Sequence, residues 1–410
     1  MRQGKNRASF AKVFDEVNII MGSLLLALIY ICFISLGLPD SLLGSSWPVL
    51  HKEISVPLSF AGIISIIISA GSIISSFFSE KLNRKFGSGR IIAVSVFMTA
   101  LALFGFSISS KFWMLVLWAI PYGLGAGAVD SVLNNYVALH YKAQHMSWLH
   151  CMWGVGASIS PYIMSFSLVK LDSWNYGYLI VSVIQVVLSI VIFISLPLWK
   201  KSAKIKDEGE KILAKPLSLK EIFKTKGALP CFLAFFCYCA FEVTASLWAS
   251  TYLSGVWDFS PETAAGFASL FYIGITVGRL FNGFLAIKLS DKVLIRTGLG
   301  IIAVGILLIF IPLHSAFSVI GFIVAGLGCA PIYPCIIHMT PDIFGREKSQ
   351  AIIGVQMAFA YIGFLAMPPL FGLIADFSSI SLLPLFLLLL LVTMAVMHEI
   401  TIKKAKSYKD

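Results

Sequence analysis

Three acids stand inside segments that are otherwise fit for lipid. Asp40 lies in SLGLPDSLLGSSWP (35–48), and no charged residue occurs between Asn18 and Leu38 before it. Asp130 lies in GAGAVDSVLNN (125–135) and Glu242 in CYCAFEVTAS (237–246). A charge near the bilayer centre costs at least ~2.5 kcal/mol on insertion scales, so it normally faces a cavity or a partner. The chemistry open to such acids is to exchange a proton and to accept hydrogen bonds from a hydroxylated solute. A proton-coupling acid needs a pKa near neutrality, which burial and a second carboxylate supply. Asp130 and Asn134 are four apart and share a helix face, so a carboxylate and a carboxamide together offer acceptors and donors to a pair of hydroxyls. The alternative for both is a helix–helix hydrogen bond, common for Asn in membranes. The alternative for Asp40 is a partly unwound stretch at the outer mouth, since Pro39 removes a backbone donor and favours a kink.

Other polar residues fall into helical registers with these acids. Tyr238, Glu242 and Ser246 recur at i, i+4 and i+8. Glu242 is a third candidate for proton coupling and solute binding, or else the buried partner of Arg279. That arginine shares a face with Tyr272, Thr276 and Gly283 and needs a partner in the membrane, so it reads as structural or gating. In SWLHCMWGVGASISPY (147–162), His150 could relay a proton or simply donate to a carbonyl. Trp153, three residues on, could stack on the apolar face of a sugar ring or serve packing. Tyr333, Gln356 and Tyr361 are weaker binding candidates, and His338 is weaker still because it approaches a helix end. Serines 65, 69, 72 and 76 form one polar stripe, either interhelical or cavity-lining. GLGAGA (123–128) follows no strand, so it is not a dinucleotide loop. Gly123 and Gly127 instead let two helices approach closely.

The elements that must position these residues follow from composition. The 410 residues are 58% hydrophobic and only 12% charged, against about 25% charged in soluble domains. The net charge of +11 is spread in short runs between apolar stretches, which excludes a nucleic-acid-binding face. A crossing helix needs about 20 apolar residues, and twelve stretches qualify: 17–47, 59–80, 90–109, 112–138, 147–169, 175–198, 229–254, 263–287, 295–313, 317–338, 349–373 and 378–400. They divide into a bundle over 1–198, a polar linker over 199–228 and a second bundle over 229–410. Of the 31 Lys and Arg, 27 fall on the side holding both termini and the linker, and three on the other. By the positive-inside rule both termini are cytoplasmic. The seven cysteines show no metal or disulfide spacing, and the N-terminus has no cleavable signal pattern.

An internal repeat ties the acids together. GLPDSLLGSSW around Asp40 aligns with CAFEVTASLWA around Glu242 at an offset of 202. Three further pairs follow in order: FAGIISIIISAG with AAGFASLFYIGI, GLGAGAVDSVLNNY with GLGCAPIYPCIIHM, and WGVGASISPY with AYIGFLAMPP, at offsets of 204, 203 and 207. A duplicated six-helix unit places the solute site at the repeat interface near the midplane, so Asp40 lines a central cavity.

Two six-helix halves, a basic linker and SEKLNRKFGSGR (79–90) between helices 2 and 3 resemble the Major Facilitator Superfamily over the whole chain. Within it, GLPDSLLG in helix 1 and GAGAVDSVLNN in helix 4 are similar to the fucose permease and its sugar-transporting relatives. That resemblance implies an all-α membrane fold of twelve helices in two pseudo-symmetric bundles, working as a monomer. It implies that Asp40 and Asp130 are a coupling pair for H+ or, as in some relatives, Na+, with Asn134 near the sugar. The helix 2–3 loop lacks the aspartate of the usual signature, the helix 4 acid is Asp where the branch carries Glu, and Asn135 replaces a usual proline. Arg84 and Lys85 in that loop read as a lock on one state, or as contacts to anionic lipid.

The expectation is a secondary active symporter that imports a sugar-like solute with H+ by alternating access. The alternatives are a proton-driven exporter of drugs or amphipathic compounds, where the aromatics and Glu242 would dominate, and a solute sensor that moves nothing. No nucleophile elbow, phosphate loop or metal cluster appears, so neither an enzyme nor a cofactor is expected. High Ile and Lys content and the lack of a targeting extension point to a bacterial cytoplasmic membrane.

Overall fold

Long apolar runs without strand alternation can satisfy their backbone in lipid only as helices. The computed structural model describes residues 22–57, 60–199, 217–259 and 261–406. Twelve helices among them are long and apolar enough to cross a membrane. In the first bundle they are α1 (Gly22–Trp47), α2 (Ala61–Phe86), α3 (Ser88–Ser107), α4 (Phe112–His140), α5 (Ala143–Lys170) and α6 (Asn175–Ile194). In the second they are α7 (Ala228–Trp257), α8 (Pro261–Leu285), α9 (Asp291–Ile309), α10 (Ser315–His338), α11 (Arg346–Phe377) and α12 (Ile380–Lys404). The expected start of the first span, 17–21, and most of the expected linker lie outside the described residues. Several helices outrun their apolar stretch, α11 most of all, because polar ends continue the hydrogen-bond ladder past the slab.

Two helices are broken where proline withholds an N–H. In α1 the ladder is interrupted over Leu38–Ser41, with i→i+3 bonds from Asp40 N to Gly37 O and from Leu42 N to Pro39 O. In α10 it is interrupted at Ala330–Pro331, between Ser315–Cys329 and Ile332–His338. Asp40 therefore sits on a helix break, as its proline suggests.

The bundles repeat one packing plan. In the first, α4 packs on α2 and α3; in the second, α10 packs on α8 and α9. The halves meet along two related seams, α2 against α11 and α8 against α5. Small residues make these approaches possible: a Cβ on Gly123 or Gly127 of α4 would overlap backbone atoms of Ile68 or Ser72 in α2. Ser72 and Ser76 close the same crossing, donating to Gly123 O at 3.0 Å and Gly127 O at 3.2 Å.

Polar bridges between the halves gather on the face that carries the α2–α3 turn with Arg84, Lys85 and Arg90, here called the basic face. Ser349 Oγ donates to Asn135 Oδ1 at 2.7 Å, Asn83 Nδ2 to Gln350 Oε1 at 3.1 Å, and Arg346 Nη2 to Leu139 O at 3.0 Å. His338 spans Asp291 Oδ2 at 2.7 Å and Tyr141 O at 3.3 Å. Gly354 of α11 lies so close to Ser76 O that a side chain there would overlap it. The central cavity is sealed on this face.

Candidate functional site

The cavity between the halves holds about 150 Å³ and is lined by Asp40, Tyr122, Asp130, His150, Trp153, Glu242, Arg279, Tyr333 and Tyr361, with Phe33, Leu36 and Phe364 as apolar walls. Its residues come from both bundles, as expected of a site at a repeat interface.

Asp40 is placed by the crossing of α1 and α5. A Cβ at Gly37 would overlap Trp153 O, and one at Gly156 would overlap Ile34 O, so only glycines allow this approach. The contact brings Trp153 Nε1 to Asp40 Oδ2 at 2.8 Å, while Tyr122 OH donates to Oδ1 at 3.4 Å. The Trp153 ring also faces the Arg279 guanidinium, 5.9 Å from the ring centroid, within cation–π range. One indole thus links the Asp40 carboxylate to the cation of the other half.

Asp130 is held from both bundles. Asn134 Nδ2 donates to its Oδ1 at 2.8 Å from the same face of α4, and Tyr361 OH of α11 donates to its Oδ2 at 3.3 Å. Asn134 Oδ1 lies 3.1 Å from His150 Nε2, whose ring packs edge-on against Tyr333 with centroids 4.5 Å apart. If Nε2 carries the proton it donates to the amide, so Asp130, Asn134 and His150 form one hydrogen-bonded string.

Glu242 and Arg279 face each other with both carboxylate oxygens 3.5 Å from Nη2. The pair is buried, yet its distance exceeds the ~2.7–2.9 Å of a strong charge-assisted bond. Each group offsets the charge of the other.

Other candidates are placed elsewhere. Tyr238 is fully buried beside Phe235 and Tyr333 rather than on the cavity wall. Gln356 is fully buried too, accepting from Thr340 Oγ1 at 3.2 Å and donating to Cys231 Sγ at 3.1 Å. Each shares a helix with a cavity residue, but its azimuth turns it into the second bundle. Arg84 pairs with Glu80 at 3.0 Å within α2, and Lys85 lies over the Phe86 ring at 5.2 Å. Tyr122 is a cavity residue that no motif singles out, although Tyr122, Ala126, Asp130 and Asn134 recur at four-residue intervals on one face of α4. All seven cysteines are buried and free of disulfides.

Comparison with known proteins places this architecture. The profile of the Major Facilitator Superfamily matches residues 29–268 and 232–409. The chain belongs to the Major Facilitator Superfamily. It is therefore an integral membrane transporter and not an enzyme. Among curated relatives, Bypass of stop codon protein 6 of Saccharomyces cerevisiae is 22% identical over 93% of this chain and 83% of its own. The glucose/mannose transporter GlcP of Bacillus subtilis is 21% identical over 82% of this chain and 85% of its own. The quinolone resistance protein NorA of Staphylococcus aureus is 24% identical over 85% and 88%. Among solved structures, the superfamily transporter FucP in its outward conformation superposes with a TM-score of 0.75 at 16% identity, over 91% of this chain and 98% of its own. FucP is described as the E. coli fucose:proton symporter. At that identity the likeness establishes the fold alone.

Proposed function

We propose that this protein moves a sugar across the membrane together with H+, by rocking of its two bundles about the central cavity. The observation that carries this reading is the pair of carboxylates on the first bundle, Asp40 and Asp130, which face one cavity and are each held by an aromatic donor. A ligand shifts a two-state equilibrium only through different contacts in the two states. Asp130 meets that requirement, because its partner Tyr361 lies on the opposite bundle. Protonation turns the carboxylate into a neutral acid and weakens the bond that joins the halves. Asn134, Trp153, His150 and the acids then offer a sugar both hydrogen bonds and an aromatic face. The names of GlcP and FucP agree with this substrate class.

We further read the basic face as cytoplasmic, with both termini on it, a division at 199–228 and a monomeric unit in a bacterial cytoplasmic membrane. On that reading the sealed basic face makes this the outward-facing state. A second reading, export of amphipathic cations, draws on the aromatic cavity wall and on the relative NorA.

The test is to add a panel of hexoses and deoxyhexoses to proteoliposomes and follow pH and Na+, for wild type and Asp130→Asn. Sugar-dependent proton movement that is lost in the variant is the expected result. Sodium movement would reassign the coupling ion. A response to lipophilic cations and to no sugar would sink the symport reading in favour of export.

A further inference from the structure

A second cavity, of about 170 Å³, lies inside the first bundle next to the central one. Its polar wall is made by Asp40, Ser65, Ser69, Tyr122 and Tyr178, with Phe106 among its apolar residues. Ser65 and Ser69 lie in the first three turns of α2, Phe106 in the last turn of α3, and Tyr178 in the first turn of α6. These are the helix ends opposite the basic face, so the cavity sits on the side away from the inter-bundle bridges.

Asp40 and Tyr122 line both cavities. Trp153, which holds Asp40 Oδ2 at 2.8 Å, lines only the central one. Asp40 Oδ1 carries only the long 3.4 Å bond from Tyr122 and keeps acceptor capacity for water. The two acids also differ in access: Asp40 is exposed within these spaces, whereas Asp130 is buried with 8% of its surface accessible. A buried water needs roughly 10–15 Å³ of such space and two to four polar partners. The volume suffices for several waters, and the carboxylate and hydroxyls supply the partners. Apolar cavities of similar size stay dry; a wall with a carboxylate does not.

We propose that this intrabundle cavity is a water-filled inlet through which Asp40 exchanges its proton, separate from the space the solute occupies. Hydronium at the inlet gives a proton to the Asp40 carboxylate, leaving water and the neutral acid; release reverses the step, with water as acceptor. A solute seated against Trp153 covers Asp40 from the central side and leaves this route open. Proton and solute therefore bind in either order. The inlet rests on the proposed proton coupling and adds to it a path and its lining residues.

The test has two arms on the full-length protein. Ser69→Cys is exposed to a positively charged methanethiosulfonate added from the face opposite the basic one, against a background of seven buried native cysteines. It is expected to react well above that background; reaction no faster than background means a dry cavity and overturns the proposal. Ser69→Leu, which fills the inlet, is reconstituted and given the hexose that moves protons in wild type. Proton uptake slowed by about tenfold or more, a barrier of ~1.4 kcal/mol, with hexose affinity kept, is the supporting result. Uptake at the wild-type rate overturns the inlet alone, and loss of hexose affinity assigns the cavity to the solute and overturns it too. If wild type moves hexose without protons, the coupling proposal itself falls and takes the inlet with it. Reactivity of Ser69→Cys in that case still reports a wet cavity, so the two failures are distinguishable.

Discussion

Tyr361 of α11 donates its phenolic hydrogen to Asp130 of α4 at 3.3 Å, across the boundary between the two bundles. It joins a titratable group in the first bundle to a helix of the second. Closer to the basic face the same pair of helices is bridged by Ser349 and Asn135 at 2.7 Å. The site and the seal are thus built on the same two helices, on neighbouring turns of α4 and about three turns apart on α11.

Tyr361→Phe removes that hydrogen bond and keeps the ring. A bond to a charged group contributes about 1.5–3 kcal/mol, so the equilibrium constant favouring the state sealed on the basic face falls about tenfold or more. Cross-linking of Asn83→Cys to Gln350→Cys by a short bis-methanethiosulfonate, at positions whose native side-chain tips meet at 3.1 Å in the sealed state, reads this population. An unchanged cross-linking yield in the Tyr361→Phe background would remove Tyr361 from the coupling path.

Gly354→Val places a side chain where Ser76 O and Ser79 Oγ already stand. Overpacking at such a contact costs about 1–3 kcal/mol, and the cost falls only on the state in which α2 and α11 touch. The variant is expected to lose the Asn83→Cys/Gln350→Cys cross-link and most transport, while folding and inserting normally by detergent size-exclusion profile. Retention of the cross-link at wild-type yield would show that α11 has room to shift.

Glu242 and Arg279 are each buried, with 7% and 5% of their surface accessible. Removing one partner of a buried pair costs about 3–5 kcal/mol, while replacing both is far cheaper. Glu242→Gln and Arg279→Gln should each lower the melting temperature in detergent, and the double variant should recover most of the loss. Additive losses in that double-mutant cycle would mean the 3.5 Å contact carries no coupling.

Arg346 and His338 reach the carbonyls of Leu139 and Tyr141 at the C-terminal end of α4. A cation such as Arg346 at a helix C-terminus contributes roughly 0.3–1 kcal/mol, and the His338 ring occupies a second terminal carbonyl. Arg346→Ala and His338→Ala are expected to raise thiol labelling of Asn135→Cys from the basic face by a few fold, and together more than either alone. Labelling no greater than in the Asn135→Cys parent would leave the seal to the Gly354 contact and the Asn83–Gln350 bridge.

What the sequence alone determined are properties summed along the chain. Hydropathy accumulates over about 20 residues, so twelve spans and the placement of Asp40, Asp130 and Glu242 within them are legible from the sequence. Spacing of four placed Asp130 and Asn134 on one face because a single helix fixes it, and the break after Pro39 follows from a missing N–H. Tertiary structure alone decided which faces meet. Trp153 reaches Asp40 across 113 positions and Tyr361 reaches Asp130 across 231, through close approaches such as that of Gly37 to Trp153 O. Gln356 and Tyr361 lie five residues apart on α11, yet one turns to Cys231 and Thr340 and the other to the cavity. The azimuth of a membrane helix is set by packing and hydrogen bonds to its neighbours rather than by hydrophobicity, because lipid is as apolar as the helices it surrounds. That information is nonlocal, and no stretch of one helix contains it.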